Sequence, residues 1–214
     1  MRKLLTPSIF IMLLWLSGCG GAIGSLTNGP YLEDFSENQN WAIGENDQSR
    51  GVIAGGVYDF SVFTDNGIYW ASADKRFGDG TYEVEATAIE GPEDNGFGMV
   101  FMVDDEAGSF YLFEISSDGF VWIGRCEDNC QGNMVILVEG GWFESGAIRQ
   151  GVGETNRLRV EADQGNLTFY INNQEVGQAF DDTFTQGNIG IAVETIGVGG
   201  VQVHFDNYSY TPAE

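Results

Sequence analysis

From residue 31 onward, apolar and polar side chains alternate with a period of two. Tyr82-Glu83-Val84-Glu85-Ala86-Thr87-Ala88 alternates cleanly, as do Leu158-Arg159-Val160-Glu161-Ala162, Leu167-Thr168-Phe169-Tyr170-Ile171 and Val201-Gln202-Val203-His204-Phe205-Asp206. A period of two is the signature of a half-buried strand. Turn signals separate the runs every roughly 8–15 residues: Asp65-Asn66-Gly67, Gly78-Asp79-Gly80, Ser117-Asp118-Gly119, Asn172-Asn173 and Gln186-Gly187-Asn188. Further strands are expected at 57–64, 67–72, 97–103, 109–116, 120–125, 134–139 and 188–194. No amphipathic helix is expected in this region. The pattern predicts an antiparallel sandwich or barrel. Its inward row is Val84, Ala86, Met99, Phe101, Tyr111, Phe113, Ile115, Val121, Ile123, Leu158, Val160, Leu167, Phe169, Ile171, Ile189, Ile191, Val193, Val203 and Phe205.

Composition sets the outer bounds. The 214 residues are 43% hydrophobic, with 32 Asp and Glu against 9 Lys and Arg, a net charge of −23. The apolar fraction is enough for one packed domain and excludes wholesale disorder. The acidity excludes a nucleic-acid binder that works by neutralising phosphates. It also opposes docking of a folded face on an anionic membrane.

The N-terminus reads as an address. Arg2 and Lys3 precede the apolar run Ile9–Leu16, which is shorter than the roughly 20 residues of a membrane-spanning helix. The run closes on Leu16-Ser17-Gly18-Cys19, which resembles a bacterial lipobox. The resemblance implies a signal peptide over 1–18, acylation of Cys19 (palmitate among the chains), and a lipoprotein anchored on the outer side of a bacterial cell-envelope bilayer. Cleavage would leave 7 cations against 32 acids, a net charge of −25. Residues 19–30 would form a flexible, glycine-rich tether, 31–210 the folded domain and 211–214 a tail. Two acyl chains hold a protein stably on a bilayer, so the domain needs no membrane-binding face.

The other cysteines, Cys126 and Cys130, are spaced C-x3-C. Outside the cytoplasm a loop-pinning disulfide is favoured over free thiols or half a metal site. Their pairing requires the chain to turn, because the Cα atoms must approach within about 7 Å.

A family resemblance rests on several segments taken together. They are Glu33-Asp34-Phe35, Gly80-Thr81-Tyr82-Glu83-Val84, Asp94-Asn95-Gly96-Phe97-Gly98-Met99-Val100-Phe101 and Phe110-Tyr111-Leu112-Phe113-Glu114-Ile115. Asn156–Val160, Leu167–Asn172, Gly187–Ile191 and Phe205-Asp206-Asn207-Tyr208 continue the series. In this order they resemble the concanavalin A-like lectin/glucanase superfamily, nearest to the laminin-G-like and 3-keto-disaccharide-hydrolase-like jelly rolls. The resemblance implies an all-β, two-sheet antiparallel jelly-roll sandwich. Such sandwiches serve as lectins, hydrolases and passive modules alike, so the fold does not choose a function.

Three kinds of chemistry are open to this sequence. Glycoside cleavage needs two carboxylates across a groove, and Glu85 and Glu114 point away from the expected core. The paired-carboxylate signature of related glucanases, Glu-x-Asp-x-x-Glu, is absent, so both are weak catalytic candidates. Glycan binding needs aromatic platforms beside hydrogen-bonding groups. Trp122 and Phe120 point off the core and, with Glu114 and Glu85, form the candidate binding set; Trp70, Trp142 and Tyr170 are weaker candidates. These aromatics equally fit covers for sheet edges and long loops, and Trp41 fits the core. The third is a structural or protein-interaction module with no small ligand. Related jelly rolls often hold a structural calcium, for which Asp34 and Asp206 are the candidate ligands; the loop acids Asp104-Asp105-Glu106 and Asp94-Asn95 are alternatives, and Asp206-Asn207 equally fits a turn cap. The leading expectation is a lipid-anchored, non-catalytic module for carbohydrate or another envelope ligand.

Overall fold

The computed structural model describes residues 26–27, 29–130, 134–138 and 140–213. Residues 1–18, for which a signal peptide is expected, and Cys19 lie outside the described residues. Among the described residues sixteen strands are formed: β1 (Tyr31–Glu33), β2 (Gly44–Glu45), β3 (Ser49–Ala54), β4 (Val57–Val62), β5 (Gly67–Phe77), β6 (Gly80–Glu90), β7 (Gly96–Asp104) and β8 (Ser109–Ser116) come first. The chain continues through β9 (Phe120–Cys126), β10 (Val135–Ile136), β11 (Phe143–Glu144), β12 (Thr155–Asp163), β13 (Asn166–Ile171), β14 (Gln174–Phe180), β15 (Gly187–Thr195) and β16 (Val201–Pro212).

The strands pair into two antiparallel sheets. One has nine strands in the order β14-β13-β12-β6-β16-β4-β3-β2, with β1 beside the far end of β16. The other has seven, ordered β10-β9-β8-β7-β15-β5, with β11 also on β9. The chain changes sheet at β4–β5, β5–β6, β6–β7, β11–β12, β14–β15 and β15–β16. These crossings interleave the two layers along the chain. The architecture is an all-β, two-sheet antiparallel sandwich, one of the two that alternation allows and the one that the family resemblance implies.

Every member of the inward row is buried between the sheets. Each large apolar side chain so buried contributes about 1.5–3 kcal/mol. An aromatic group joins them: Phe35, Trp41, Tyr58, Phe77, Tyr82, Tyr208 and Tyr210 pack in the same cluster. Trp41 belongs to this core, 2% exposed, with its indole N–H donating to the Tyr31 hydroxyl at 3.2 Å.

Some boundaries differ from the sequence expectation. The strand expected over 134–139 is only Val135–Ile136, and Glu139 lies outside the described residues. β14, with the sequence Gln-Glu-Val-Gly-Gln-Ala-Phe, carries no clean alternation; it is an edge strand, and one neighbour suffices to hold it. β16 runs on to Pro212, past the expected domain edge. Asn172 and Asn173 both adopt left-handed φ, 50° and 68°, as the β13–β14 hairpin turn requires.

Two strands break the rule that an antiparallel sheet exposes one face. All eight residues of β8, and all of β7 but the last, are buried. Their inward residues lie in the sandwich core. Their outward residues lie under a second apolar cluster: Val100, Val103, Phe110, Leu112, Trp122, Cys126 and Ala192, with Ile68, Trp70, Cys130, Met134 and Trp142 packed against it. The segment after β9 supplies Cys130, Met134 and Trp142, so it lies over this face. Cys126 and Cys130 are joined as a disulfide, Cα atoms 5.0 Å apart, which holds the start of that segment against the sheet.

Candidate functional site

The register of the seven-stranded sheet builds its outer face residue by residue. Trp122 on β9 stands opposite Glu114 on β8, Glu114 opposite Gly98 on β7, Gly98 opposite Ala192 on β15, and Ala192 opposite Trp70 on β5. One step along, Glu194 on β15 stands opposite Gly96 on β7. Glu114 and Glu194 therefore flank a strand that presents only glycines between them. The space is used: a Cβ at residue 96 would lie 2.5 Å from Glu114 Oε2 and 3.2 Å from Trp142 Cη2. The Trp122 indole lies along its strand over Gly124, where a Cβ would come within 2.4 Å of Cη2. On the other side, the rings of Trp70 and Phe110 approach to 5.0 Å between centroids, bridging β15 and β7.

Glu114 is completely buried, and neither carboxyl oxygen has a hydrogen-bond donor among the described residues. Such a group is costly if charged. Burial pushes its pKa well above the ordinary carboxyl range, and the neighbouring Glu194 carboxyl pushes it further. Burial also raises Glu194, partly offset by the neighbouring Glu114 carboxyl. Two ionised carboxylates cannot hydrogen-bond each other. The pair is satisfied when it holds one proton between them, and the two groups then titrate as a unit.

The structure brings Glu114, Trp122, Phe120, Trp70 and Trp142 to one face. Trp122 is only 6% exposed, so it is a packed floor, while Trp70 and Trp142 are half-buried. Phe120 is half-buried at the start of β9, opposite Glu144 of β11. Glu85 is elsewhere. β6 belongs to the nine-stranded sheet, so Glu85 points off the opposite side of the sandwich, opposite Arg157 of β12. Alternation correctly turns Glu85 away from the core but carries no information about which sheet holds it. Tyr170 is on that second sheet too, under the Arg159 guanidinium at 3.9 Å and donating to Glu161 at 3.0 Å. Sequence reasoning missed Glu194. The alternation that turns Ile189, Ile191 and Val193 inward turns Glu194 outward, but only strand order places it beside Glu114.

The calcium candidates lie near each other. Asp34 is exposed and accepts from Ser36 N–H at 3.0 Å and Ser36 Oγ at 2.6 Å, which lowers its pKa. Asp206 is raised, first by burial and then by the charges of Glu85 and Asp34, and it accepts from Asn207 N–H. Among the described residues, no group of three or more acidic, histidine or cysteine side chains is arranged to hold a metal ion.

Known structures share this architecture. A carbohydrate-binding module from Bacillus subtilis superposes with a TM-score of 0.62 at 18% identity, covering 80% of this chain and 96% of that one. A Bacillus licheniformis β-glucanase gives 0.63 at 14% identity over 87% and 100%. A Bacillus subtilis protein of unknown function with a galectin-like fold gives 0.62 at 12% identity over 85% and 94%. No protein-family model matches the chain, and no curated protein matches it. The identities are low enough that these likenesses speak for the fold alone. The chain has the concanavalin A-like lectin/glucanase jelly-roll fold, which carbohydrate-binding modules and glycoside hydrolases share.

Proposed function

We propose that this sandwich is a non-catalytic glycan-binding module, that its site is the outer face of the seven-stranded sheet, and that Cys19 anchors it by acyl chains outside a bacterial cell. The carrying observation is the pairing of half-buried Trp70 and Trp142 with the Glu114 and Glu194 carboxyls on one outer face. Tryptophan faces stack on the apolar C–H faces of sugars, and carboxyl oxygens accept hydroxyl hydrogen bonds. Glu194, the more accessible of the two acids, is the hydroxyl acceptor; Glu114 holds it in place. The carbohydrate-binding module of the same fold supports this reading, and the lipobox-like tetrapeptide supports the anchor. A glycan array probed with the full chain and with Trp142→Ala tests it. The expected result is a defined set of glycans bound by the wild type and lost or weakened at least tenfold in the variant. No glycan bound, or equal binding by both, contradicts it.

Glycoside cleavage is the second reading, favoured by one observation: a pair holding a single proton offers one neutral and one ionised carboxyl, the two states that acid–base cleavage uses. Burial weighs against it. Cleavage needs both carboxyls to reach a sugar held between them, whereas Glu114 is fully buried. Hydrolysis of glucans by the wild type, abolished in Glu114→Gln, would favour the second reading.

A further inference from the structure

The nine-stranded sheet carries a different feature. At one end of its outer face, Glu85, Arg149, Arg157, Asn172 and Asn173 line an open pocket of about 320 Å³. Two guanidiniums at one pocket stand out in a chain with 32 acids and 9 basic residues. Arg157 is partly committed, donating to Glu83 Oε1 at 3.3 Å and to Asn173 Oδ1. Arg149 makes no salt bridge among the described residues; one N–H goes to the Thr155 carbonyl at 3.0 Å, and the rest of its fork is unspent.

The root of Arg149 is held in place. Asn156, 1% exposed, accepts from the Arg149 N–H at 2.8 Å and donates to the Arg149 carbonyl at 2.9 Å. Asn172 donates to Asn156 Oδ1 at 2.8 Å and to the Ala147 carbonyl at 2.8 Å, and accepts from the Arg157 N–H at 3.1 Å. One network of two amides thus ties together the loop carrying Arg149, the strand carrying Arg157 and the turn that closes the pocket. Fixing charged groups before a ligand arrives removes part of the ordering cost of binding.

We propose that this pocket binds a sugar acid: a pyranose-sized, polyhydroxylated carboxylate such as a hexuronate unit. The free guanidinium fork of Arg149 matches a carboxylate. Glu85, held by Asn207 Nδ2 at 2.9 Å, lies on the same rim and repels a bare anion, but it accepts hydroxyl hydrogen bonds. A ligand with an anionic end and a hydroxyl-rich ring satisfies both Arg149 and Glu85. This site is on the opposite sheet from Glu114 and Glu194, so it stands or falls apart from the glycan face.

Calorimetric titration of the full chain with methyl glucuronide, methyl glucoside and inorganic phosphate tests the proposal. Methyl glucuronide is expected to bind, methyl glucoside and phosphate at least tenfold more weakly. Arg149→Gln, an exposed position, should weaken glucuronide at least tenfold with an unchanged melting temperature. Trp142→Ala should leave it unchanged. Absence of glucuronide binding, equal binding by Arg149→Gln, or phosphate binding as tight as glucuronide would each overturn the assignment.

Discussion

Glu114 of β8 and Glu194 of β15 flank Gly96 and Gly98 of β7, with no side chain of the intervening strand between them. The glycines leave the space that brings the two acids near each other, and burial is what favours a proton on the pair.

That proton gives stability a defined pH dependence. Both pKa values lie above the unfolded value of 4.5, so the folded state binds more protons than the unfolded chain once pH exceeds that value. Folding stability from this pair is therefore undiminished below about pH 4.5 and falls as pH rises toward the folded pKa values. Glu114→Gln, which donates to an ionised Glu194 without a proton, should raise stability at pH 8 by about 1–3 kcal/mol and little at pH 4. Urea unfolding of both proteins across pH 4–9 checks this; parallel curves would contradict it.

Gly96→Ala places a methyl group where Glu114 Oε2 and the Trp142 ring already sit. The expected cost is about 1–3 kcal/mol from overpacking. Tryptophan emission should shift as Trp142 is displaced. Unchanged stability with unchanged emission would mean that the pocket is looser than these distances describe.

The disulfide closes a short loop, so its loss should remove only about 2 kcal/mol. In Cys130→Ser the segment from 127 to 144 should exchange amide hydrogens faster and be cut sooner by proteases, while the sandwich strands keep their protection. Global unfolding in the variant would contradict a local role.

Asn156→Ala removes three hydrogen bonds from a buried position, two of them to the backbone of Arg149. A loss of about 2–4 kcal/mol is expected, since the backbone groups of Arg149 lose their partner. Thermal melts of the variant give the answer directly.

The sequence disclosed much of this architecture, for a physical reason. Period two is set by the pleat of a strand, so Val84 and Ala86, or Leu158 and Val160, announce their burial without knowledge of any partner. Trp122 and Glu114 were legible as a pair for the same reason, both pointing off the core on adjacent strands. Glu85 was not, because the face of a strand is local information and the sheet it joins is not. Glu194 shows the same limit from the other side: its outward direction is readable, its neighbour is not. Nor does alternation show that the outward face of β7 and β8 is covered again by Trp142 and Met134, because that cover comes from a segment with almost no strand character.

The central claim is that glycan binds the outer face of the seven-stranded sheet. Backbone amide chemical-shift mapping of the full chain, titrated with the strongest glycan from the array, tests it most directly. The account predicts shifts concentrated at Ile68 and Trp70 of β5, Glu114 of β8, Glu194 of β15 and Trp142 just before β11. Shifts confined to β3, β4, β6, β12 and β16, or scattered without focus, would contradict it.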